Sequence, residues 1–398
     1  MKIRVGVLYG GKTTEHEVSI ITAVQAMGYL NKEKYDVVPI YFNKENEIYT
    51  GDALKDIEIY KDTSLLKRYC TNVIMYSKDG VLVLQNKKGI FKRTIREVDI
   101  VIPAVHGYNM EDGNIEGMLE VLGVPYTGSD IYGCTVGQDK VFQKQILESE
   151  NIPIPKYTWF YENDFLNDEK TVLNNIEKIG YPVIVKPARQ GSSIGINIAK
   201  NEEEVKSAIN DAIKYDDKIL IEEVIENMTE LNCSVLGSNL YCQTSVIEQV
   251  MGHDEILSFN DKYIGSGSKK GISSSKGMVS ASRIIPANIP ENVTKKIYET
   301  SRKVFKALGA SGVVRIDYLY DKKRSEFYVN ELNSIPGSLS FYLWTPLNKE
   351  YDELLDDMIN IAVKRYKNKL KKTTKFDSNI LSGFNGSKGV KGLKGKLR

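Results

Sequence analysis

The sequence predicts an α/β protein with some α+β elements and several domains, beginning with an open parallel sheet. The N-terminal region supports this because a buried strand, a glycine turn, a helix and a second strand follow one another as a βαβ unit. The length of 398 residues allows two or three domains with substantial cores. Near the C-terminus, two runs rich in Ile, Tyr, Phe and Val flank a charged break, the pattern of a β-hairpin.

The composition is ordinary for a soluble globular protein and favours no unusual partner. Hydrophobic residues make up 41% and charged residues 27% of the chain, and the net charge of +2 gives no general drive toward nucleic acid or membrane. Four scattered cysteines lack metal-ligand spacing, which favours free thiols in a reducing compartment. The N-terminus does not resemble a signal peptide, and no apolar run has the length of a membrane span. We therefore expect a cytoplasmic protein.

The first predicted strand covers residues 3–9, and a helix with apolar positions one turn apart follows it. The string GVLYGGKT also fits the phosphate-loop pattern GxxxxGK[ST], in which Lys12 would bind phosphate. We reject that interpretation because Gly6 falls inside the strand and leaves no loop to cradle a phosphate. Glu17, near the start of the helix, is predicted instead to bind a substrate ammonium group at the C-terminal edge of the sheet.

Two further features belong to the first third of the chain. Residues 45–100 alternate charged and apolar residues, which suggests an added antiparallel hairpin. His106 comes directly after the strand DIVIPAV, at a loop position that favours a functional role over core packing.

The middle of the chain carries candidate phosphate and nucleotide ligands. Lys186 ends the apolar strand PVIVKPA and precedes the loop RQGSSIG, whose backbone N–H groups can point at an anion while the lysine adds charge. Lys140 lies near the start of a helix predicted over residues 138–150. Glu222 and Glu230 could accept hydrogen bonds from an adenine amine and ribose hydroxyls, or could belong to a solvated acidic linker.

The C-terminal hairpin carries candidate metal ligands. Because side chains alternate along a strand, Arg315 and Asp317 share one face, and Glu331 and Asn333 share one face of the partner strand. If the hairpin pairs them, oxygen ligands converge with a guanidinium, a set that suits Mg²⁺ bound to nucleotide phosphates. The alternative is an exposed hairpin with solvated charges.

Several segments, in order over residues 3–345, resemble the D-alanine–D-alanine ligase family of the ATP-grasp superfamily. They are GGKTTEHEVS, HGYNMEDGNIEGMLEVLGVPYTGSD, DKVFQK, VKPARQGSSIG, LIEEV, DKY, RIDY and NELNSIPG. The resemblance implies a three-domain ATP-grasp architecture with ATP between the central and C-terminal domains. The expected parts are an N-terminal substrate domain at 1–128, a central domain at 129–226, a C-terminal domain with the metal site at 227–372 and a basic tail at 373–398.

The resemblance also implies roles for individual residues of this sequence. The ATP-binding residues would be Lys140, Lys186, Ser193, Glu222, Glu223, Val224 and Glu230. Two Mg²⁺ ions, or Mn²⁺, would be bound by Asp317, Glu331 and Asn333. The catalytic groups would be Glu17, Ser192, Tyr263, Arg315 and the backbone of Gly337. The remaining substrate-binding residues would be His106, Lys262, Tyr342 and Leu343.

The implied activity is the ADP-forming ligation of two D-alanine molecules for peptidoglycan precursor synthesis, by a homodimer. ATP would turn the first carboxylate into an acyl phosphate, which the second amine then attacks. A Gly- and Ser-rich segment at 264–282 would close over this intermediate and exclude water.

Tyr342 and Leu343 stand where the family tends to have a Ser-Leu pair for the second carboxylate, so D-serine or D-lactate stays open as the acceptor. A nucleotide-binding regulator without turnover is the alternative from a different class.

The C-terminal end combines a helix and a basic tail. The helix is predicted from Tyr351 to Lys372, with acids early and lysines late, which matches the helix dipole. The tail SGFNGSKGVKGLKGKLR is rich in glycine and lysine and is predicted to be disordered. We expect a solvated tail, with binding to an anionic surface or RNA as the alternative.

Overall fold

Three β-sheets organise the chain in a computed structural model that describes residues 2–251, 282–373 and 379. The strands are β1 Ile3–Gly10, β2 Tyr35–Phe42, β3 Ile48–Thr50, β4 Thr71–Lys78, β5 Val81–Asn86, β6 Thr94–Val98, β7 Ile100–Pro103, β8 Tyr157–Tyr161, β9 Val183–Pro187, β10 Asn197–Ala199, β11 Lys218–Glu223, β12 Met228–Gly237, β13 Cys242–Met251, β14 Ser282–Ile284, β15 Gly312–Asp321 and β16 Glu326–Asn333.

The helices of the described ranges connect these strands. The α-helices are α1 His16–Tyr29, α2 Thr63–Tyr69, α3 Asn114–Leu122, α4 Ile131–Gln138, α5 Lys140–Ser149, α6 Glu162–Asn167, α7 Glu169–Glu177, α8 Glu202–Ala212, α9 Glu291–Ala307 and α10 Tyr351–Leu370. Short 3₁₀ helices cover Asp52–Lys55, Ile57–Tyr60, Gly337–Leu343 and Thr345–Leu347. None of these helices combines the length and the apolar character needed to cross a membrane.

The N-terminal sheet has the order β6-β5-β4-β3-β2-β1-β7. The prediction of an open parallel sheet is right for β1, which pairs in parallel with β2 and β7, and wrong for the rest, because β3 to β6 join in antiparallel pairs. Short turns connect most of these added strands, and such turns allow only antiparallel neighbours. The hairpin predicted within 45–100 is confirmed in β4 and β5, which turn at Asp79-Gly80.

The beginning of the chain confirms the rejection of the phosphate-loop interpretation. Gly6 lies inside β1, paired with Val38 of β2, and β1 continues to Gly10. Lys12 is exposed. The predicted helix is α1, whose apolar positions Ile20 and Ala23 are buried in the core.

The second sheet has the order β10-β9-β11-β8, and one of its faces carries charge. Val183 and Val185 of β9 belong to the apolar core that includes residues of α7 and α8. The alternate residue Lys186 therefore points to the opposite face. Glu222 of β11 lies on that same face, one step diagonally from Lys186 in the antiparallel register.

The third sheet has the order β14-β13-β12-β15-β16 and contains the predicted hairpin. Its core includes Val314, Ile316 and Tyr318 of β15, alternating with Arg315 and Asp317 on the other face. One unit of the fold covers residues 1–363, and a second begins at Lys364 within α10. The predicted C-terminal helix is confirmed as α10.

Helix α3 contains a buried acid that the apolar surroundings keep protonated. Glu116 is 1% exposed, and burial, followed by the nearby acids Glu111 and Asp112, raises its pKa to about 8. Because the unfolded-state pKa of glutamate is about 4.3, the folded state binds the proton more tightly than the unfolded state does. The protonated side chain thus contributes stability that is fully present below about pH 4.3 and is lost as pH rises through about 8.

We predict that Glu116→Gln flattens the fall in stability at alkaline pH. Glutamine keeps the shape and cannot ionise, so the variant should gain in melting temperature relative to the parent between about pH 5 and about pH 9. Thermal unfolding followed by circular dichroism across this range measures the difference. Equal pH dependence of parent and variant would contradict the assignment of a raised pKa to Glu116.

Candidate active site

A cavity lies where loops and strand ends of the three sheets meet. Predicted site residues that line it are His106, Lys140, Ser192, Glu230, Arg315, Asp317, Glu331, Asn333 and Gly337. Residues far apart in the sequence therefore meet in one place, as a catalytic cavity between several sheets requires.

The hairpin of β15 and β16 supplies the acidic wall of this cavity. Arg315 pairs with Asn333 and Asp317 pairs with Glu331, which confirms the predicted register. The Arg315 guanidinium donates to both Asp317 oxygens, at 2.6 Å from Nε and 2.8 Å from Nη2. Asn333 Nδ2 donates to Asp317 Oδ2 at 3.0 Å, and Lys140 Nζ lies 3.0 Å from Glu331 Oε2. The alternative of solvated hairpin charges is wrong, because cationic and amide partners hold both carboxylates.

The donor chemistry of this wall fits a magnesium ion that is shared with phosphates. Asp317, Glu331 and Asn333 offer two carboxylates and an amide. Within the described ranges, no group of three or more His, Cys, Asp or Glu side chains could hold a metal ion. The three residues therefore do not make an all-protein cage, which Mg²⁺ rarely uses, since it usually keeps waters and binds substrate phosphates.

Behind the acidic wall, one buried glutamate holds two lysines. Glu222 forms ion pairs with Lys144 through one carboxylate oxygen and with Lys186 through the other. Burial alone would raise the pKa of Glu222, but the two lysines outweigh it and lower the pKa to about 2. Lys186 also donates to Asn330 Oδ1 at 3.3 Å. Burial lowers the pKa of Lys144, and the charge of Glu222 opposes that effect.

Lys140 stands between this group and the acidic wall. It donates to the carbonyl of Gln190 at 2.8 Å, and this hydrogen bond joins α5 to the Gly/Ser loop RQGSSIG that follows β9. Burial would lower the pKa of Lys140, but Glu331, followed by Glu15 and Glu222, outweighs burial and raises it. Lys140 is therefore charged at neutral pH.

The N-terminal sheet contributes Glu15 to the cavity. Glu15 is the residue before α1 and accepts a hydrogen bond from the hydroxyl of Ser192. A Cβ atom at Gly191 would lie 2.6 Å from Glu15 Oε2, so a larger residue there would require the Glu15 carboxylate to shift. Glu15 thus joins the N-terminal sheet to the Gly/Ser loop of the second sheet.

His106 is a buried, neutral member of the cavity wall. Its Nε2 lies 2.9 Å from Thr22 Oγ1, which also accepts from the backbone N–H of Ser338 at 3.1 Å. Burial and the charge of Arg315 lower the pKa of His106 to about 4.

A second buried acid, Glu111, joins the N-terminal sheet to the loop after β16. It accepts from the N–H groups of Gly107 and Ile335, each at 3.1 Å. Burial, followed by the charge of Glu15, raises the pKa of Glu111 to about 8. Glu111 is therefore protonated at neutral pH.

Beyond Gly337 the chain turns through an unusual left-handed segment. Ser338, Leu339 and Ser340 have φ values of 53°, 50° and 50°, which disfavour side chains with a Cβ. Such strain persists only where the surroundings hold it, and it occurs often at functional sites. The turn brings Tyr342 to Glu248, whose Oε2 accepts the phenol hydrogen bond at 3.2 Å. Burial, followed by Glu248, raises the pKa of Tyr342 to about 12.

Arg283 of β14 completes this cluster and lines the cavity. Its Nη1 lies 3.0 Å from Glu248 Oε1, and its guanidinium carbon lies 5.1 Å from the centre of the Tyr342 ring. Asn232 also donates to Glu248 Oε2, at 3.2 Å. Glu248 and Tyr342 therefore hold a second arginine at the cavity, in addition to Arg315.

Known proteins with this sequence pattern point to one family. The family descriptions "D-ala D-ala ligase N-terminus" and "D-ala D-ala ligase C-terminus" match residues 4–129 and 146–360. A D-alanine--D-alanine ligase of Thermosipho africanus is 40% identical over 384 residues, which cover 95% of this chain and 98% of the relative. The chain belongs to the D-alanine–D-alanine ligase family. The resemblance found in the sequence is thereby confirmed.

Solved structures agree with the fold of this ligase. The D-alanine-D-alanine ligase from Coxiella burnetii aligns with a TM-score of 0.77 and 25% identity, covering 93% of this chain and 96% of that one. The VanG D-Ala:D-Ser ligase from Enterococcus faecalis aligns with a TM-score of 0.74 and 26% identity, covering 91% and 100%. A Bacillus anthracis D-alanine--D-Alanine ligase complexed with ATP, at 23% identity and a TM-score of 0.64, covering 92% and 99%, shows the same fold. The predicted ATP-grasp architecture is confirmed.

The structure does not place Glu17 at the cavity, where the sequence predicted it. Glu17 is exposed and pairs with Lys44 at 2.6 Å, whereas Glu15 lies in the cavity. Successive residues of an α-helix are about 100° apart, so Glu17 in the first turn of α1 points away from the residue that precedes the helix. The segment TTEHEVS contains both Glu15 and Glu17, and the helical periodicity of the sequence did not decide which of them faces the cavity.

Other predicted residues have partners that the sequence did not suggest. The Tyr342 hydroxyl binds Glu248 and is not part of the cavity wall, and the Leu343 side chain is buried in the core. Both carboxylate oxygens of Glu222 meet lysines rather than open space.

Glu223 and Val224 contact the loops that lead into neighbouring strands. Glu223 accepts from the N–H of Lys156 at 2.7 Å, and the Val224 N–H donates to the carbonyl of Pro182 at 3.3 Å. Ser193 has a positive φ of 59° in the loop after β9.

Lys262, Tyr263 and residues 264–281 of the predicted lid segment lie outside the described residues, which resume at residue 282. Sequence reasoning missed Glu15, Lys144, Glu248 and Arg283 as members of the site. Of these, Lys144 had a signal, because it follows Lys140 by one helical turn on the same face of α5. Glu248 and Arg283 are single charges within β13 and β14, and the sequence gave no signal for either.

We predict that Glu15→Gln impairs the ligase while the matched variant Glu17→Gln does not. Loss of one charged hydrogen-bond partner weakens binding about ten- to a hundred-fold, and this loss of affinity should appear as a higher apparent KM for the first amino acid. Steady-state ADP release at varied amino-acid and ATP concentrations separates the two KM values. A larger effect of Glu17→Gln would restore the earlier assignment.

Proposed function

We propose that this chain is an ATP-dependent, ADP-forming ligase that joins two D-alanine molecules through an acyl phosphate. One observation carries the proposal: Asp317 and Glu331 stand in register beside Lys140 and Arg315, in a cavity shared by three sheets. That arrangement provides oxygen ligands, a phosphate-binding lysine and an arginine for developing negative charge. These are the parts that phosphoryl transfer to a carboxylate requires.

The first D-alanine would be held by its ammonium group. Glu15 offers a carboxylate at the cavity wall, and Ser192 fixes that carboxylate by a hydrogen bond. His106 and Glu111 are neutral at neutral pH because their pKa values are lowered to about 4 and raised to about 8. Neither neighbour therefore competes with the Glu15 carboxylate for the ammonium group.

The nucleotide phosphates would bind between Lys140 and Lys186. In the described structure Glu331 and Glu222 neutralise these lysines. We infer that phosphate oxygens replace part of these contacts, and that Asp317, Glu331 and Asn333 bind Mg²⁺. When bound, Mg²⁺ neutralises charge on the phosphoryl oxygens. We assign the adenosine to Glu222, Glu223, Val224 and Glu230, near the connection of β11 and β12.

The acceptor would be oriented by its carboxylate. Arg315 and Arg283 both line the cavity, and Glu248 with Tyr342 holds Arg283 in place. The acceptor amine must be unprotonated to attack the acyl phosphate, so the rate should fall as pH falls. Arg315 and the N–H of Gly337 are our candidates for binding the oxyanion of the tetrahedral intermediate. D-serine is the second candidate acceptor, since the VanG relative is named a D-Ala:D-Ser ligase.

We further propose domain boundaries at 128/129, 226/227 and 372/373. The support is that the three sheets fall within residues 3–103, 157–223 and 228–333. A cytoplasmic location is proposed as well, because the reaction consumes ATP and the cysteines at 70, 134, 233 and 242 are free thiols. The homodimer is proposed from the family resemblance alone.

The test is an assay of product rather than of ATP consumption alone. We expect ADP release that depends on D-alanine. When D-alanine competes with an equal concentration of D-serine or D-lactate, the D-alanine dipeptide should be the main product. Mass spectrometry of the products at about pH 6 and about pH 8.5 measures this. Mixed product at both pH values would identify a ligase of altered specificity. Nucleotide binding without turnover would identify a regulator.

We predict that Glu331→Gln raises the Mg²⁺ concentration for half-maximal activity at least about tenfold and lowers kcat, because one ligand charge is lost. The control is Glu326→Gln, an exposed acid at the other end of β16. Thermal unfolding should be similar for both variants. Electron paramagnetic resonance of Mn²⁺ with a non-hydrolysable ATP analogue gives a second readout, independent of turnover. Unchanged Mn²⁺ binding by Glu331→Gln would refute this metal assignment.

A further inference from the structure

The connection between β5 and β6 displays apolar and cationic side chains that the proposed reaction does not use. We define residues 87–93, with the sequence KKGIFKR, as the apex loop. Ile90 is 94% exposed and Phe91 is 87% exposed. Lysine or arginine occupies four of the other five positions, and no acid occurs among the seven residues. A chain with a net charge of only +2 thus concentrates positive charge around two exposed apolar side chains.

A hydrogen-bonded framework fixes the shape of the apex loop. The Asn86 side chain donates to the carbonyls of Lys88 and Phe91 and accepts from the N–H of Arg93 at 2.6 Å. Gly89 has φ +103°, and an added Cβ there would lie 3.3 Å from Asn86 Nδ2, which favours glycine. The apolar pair is therefore presented by an ordered turn, so little conformational entropy is lost on binding.

The charge of the apex loop is largely uncompensated. Lys87 is paired with Glu47 at 3.7 Å, and the Lys92 ammonium donates to the carbonyl of Lys87 at 2.7 Å. Across residues 2–251, 282–373 and 379, no ion pair is made by Lys88, Lys92 or Arg93. Three exposed cations next to Ile90 and Phe91 match a surface that offers negative charge above an apolar phase.

We propose that the apex loop docks the protein on an anionic lipid bilayer, with Ile90 and Phe91 entering the headgroup region and the four cations contacting lipid phosphates. A bilayer satisfies both parts of the loop: insertion removes the apolar side chains from water, and anionic headgroups attract the cations. A symmetric contact with a second copy would bring like charges together. RNA would attract the cations and stack on Phe91, but it offers little to the aliphatic Ile90.

The docking should be peripheral and sensitive to salt. A single apolar pair gives weak binding, and basic residues near an anionic surface supply the rest within a Debye length. The full chain should therefore bind vesicles of phosphatidylcholine mixed with phosphatidylglycerol, should bind vesicles of phosphatidylcholine alone weakly, and should dissociate in high potassium chloride.

The experiment measures sedimentation of the full-length protein with these two vesicle types. Ile90→Ser with Phe91→Ser, and separately Lys88→Gln with Lys92→Gln and Arg93→Gln, should each weaken binding to the anionic vesicles by at least about tenfold. The matched control is Leu240→Ser with Tyr241→Ser, another exposed apolar pair, at 66% and 53% exposure, in the turn between β12 and β13. This control should bind as the parent does, and all variants should keep the parent's circular dichroism and ADP release.

A second control concerns the basic C-terminal tail. Lys388→Gln, Lys391→Gln, Lys394→Gln and Lys396→Gln in the full chain remove its lysine charge and should leave most of the binding, because Ile90 and Phe91 of the apex loop are unchanged. The proposal fails if the parent does not bind anionic vesicles, if the serine variants bind as tightly as the parent, or if the tail variant alone abolishes binding. It also fails if the parent does not bind vesicles and light scattering shows that the parent is an oligomer but the serine variants are not. The partner of the apex loop would then be a second copy of the chain.

Discussion

The register of β15 against β16 is the constraint on which the site depends. It places Asp317 opposite Glu331 and Arg315 opposite Asn333, on the face of the sheet away from the core. A slip by one residue would turn these polar groups into the core and expose the apolar ones. The core residues of β15 thus secure the register, and the register secures the polar site. A bulge follows these polar pairs, because Asp317 pairs with Glu331 but Tyr318 pairs with Val329.

Balance between buried charges explains how this polar site persists in a folded chain. Isolated buried charges are strongly destabilising, whereas a buried charge with close partners is tolerated. Cations at the cavity and behind it each have an acid: Asp317 for Arg315, Glu331 for Lys140, Glu248 for Arg283 and Glu222 for Lys186. Glu222 also pairs with Lys144, so two buried lysines share one carboxylate.

Sequence reasoning captured what depends on local pattern and missed what depends on tertiary placement. Apolar periodicity and glycine positions predicted the βαβ start, the rejection of the phosphate loop and the hairpin pairing. The structure confirms each of these predictions. Glu15 could not be separated from Glu17, because the choice depends on the residue at which α1 begins. Glu248 could not be found at all. It contacts Arg283 and Tyr342, which are distant in the sequence and meet it in space.

The Tyr342 cluster shows how such placement bears on specificity. A phenol in the cavity would have offered the acceptor a hydrogen bond, but Tyr342 donates to Glu248 instead, and its raised pKa keeps the proton on the phenol. On the proposed assignment, an acceptor carboxylate meets Arg283 and Arg315, which both line the cavity. Two guanidinium groups recognise a carboxylate whatever side chain or nucleophile it carries. On that assignment, discrimination between D-alanine and D-serine comes from the space around the acceptor side chain, and Tyr342 affects it through the position of Arg283.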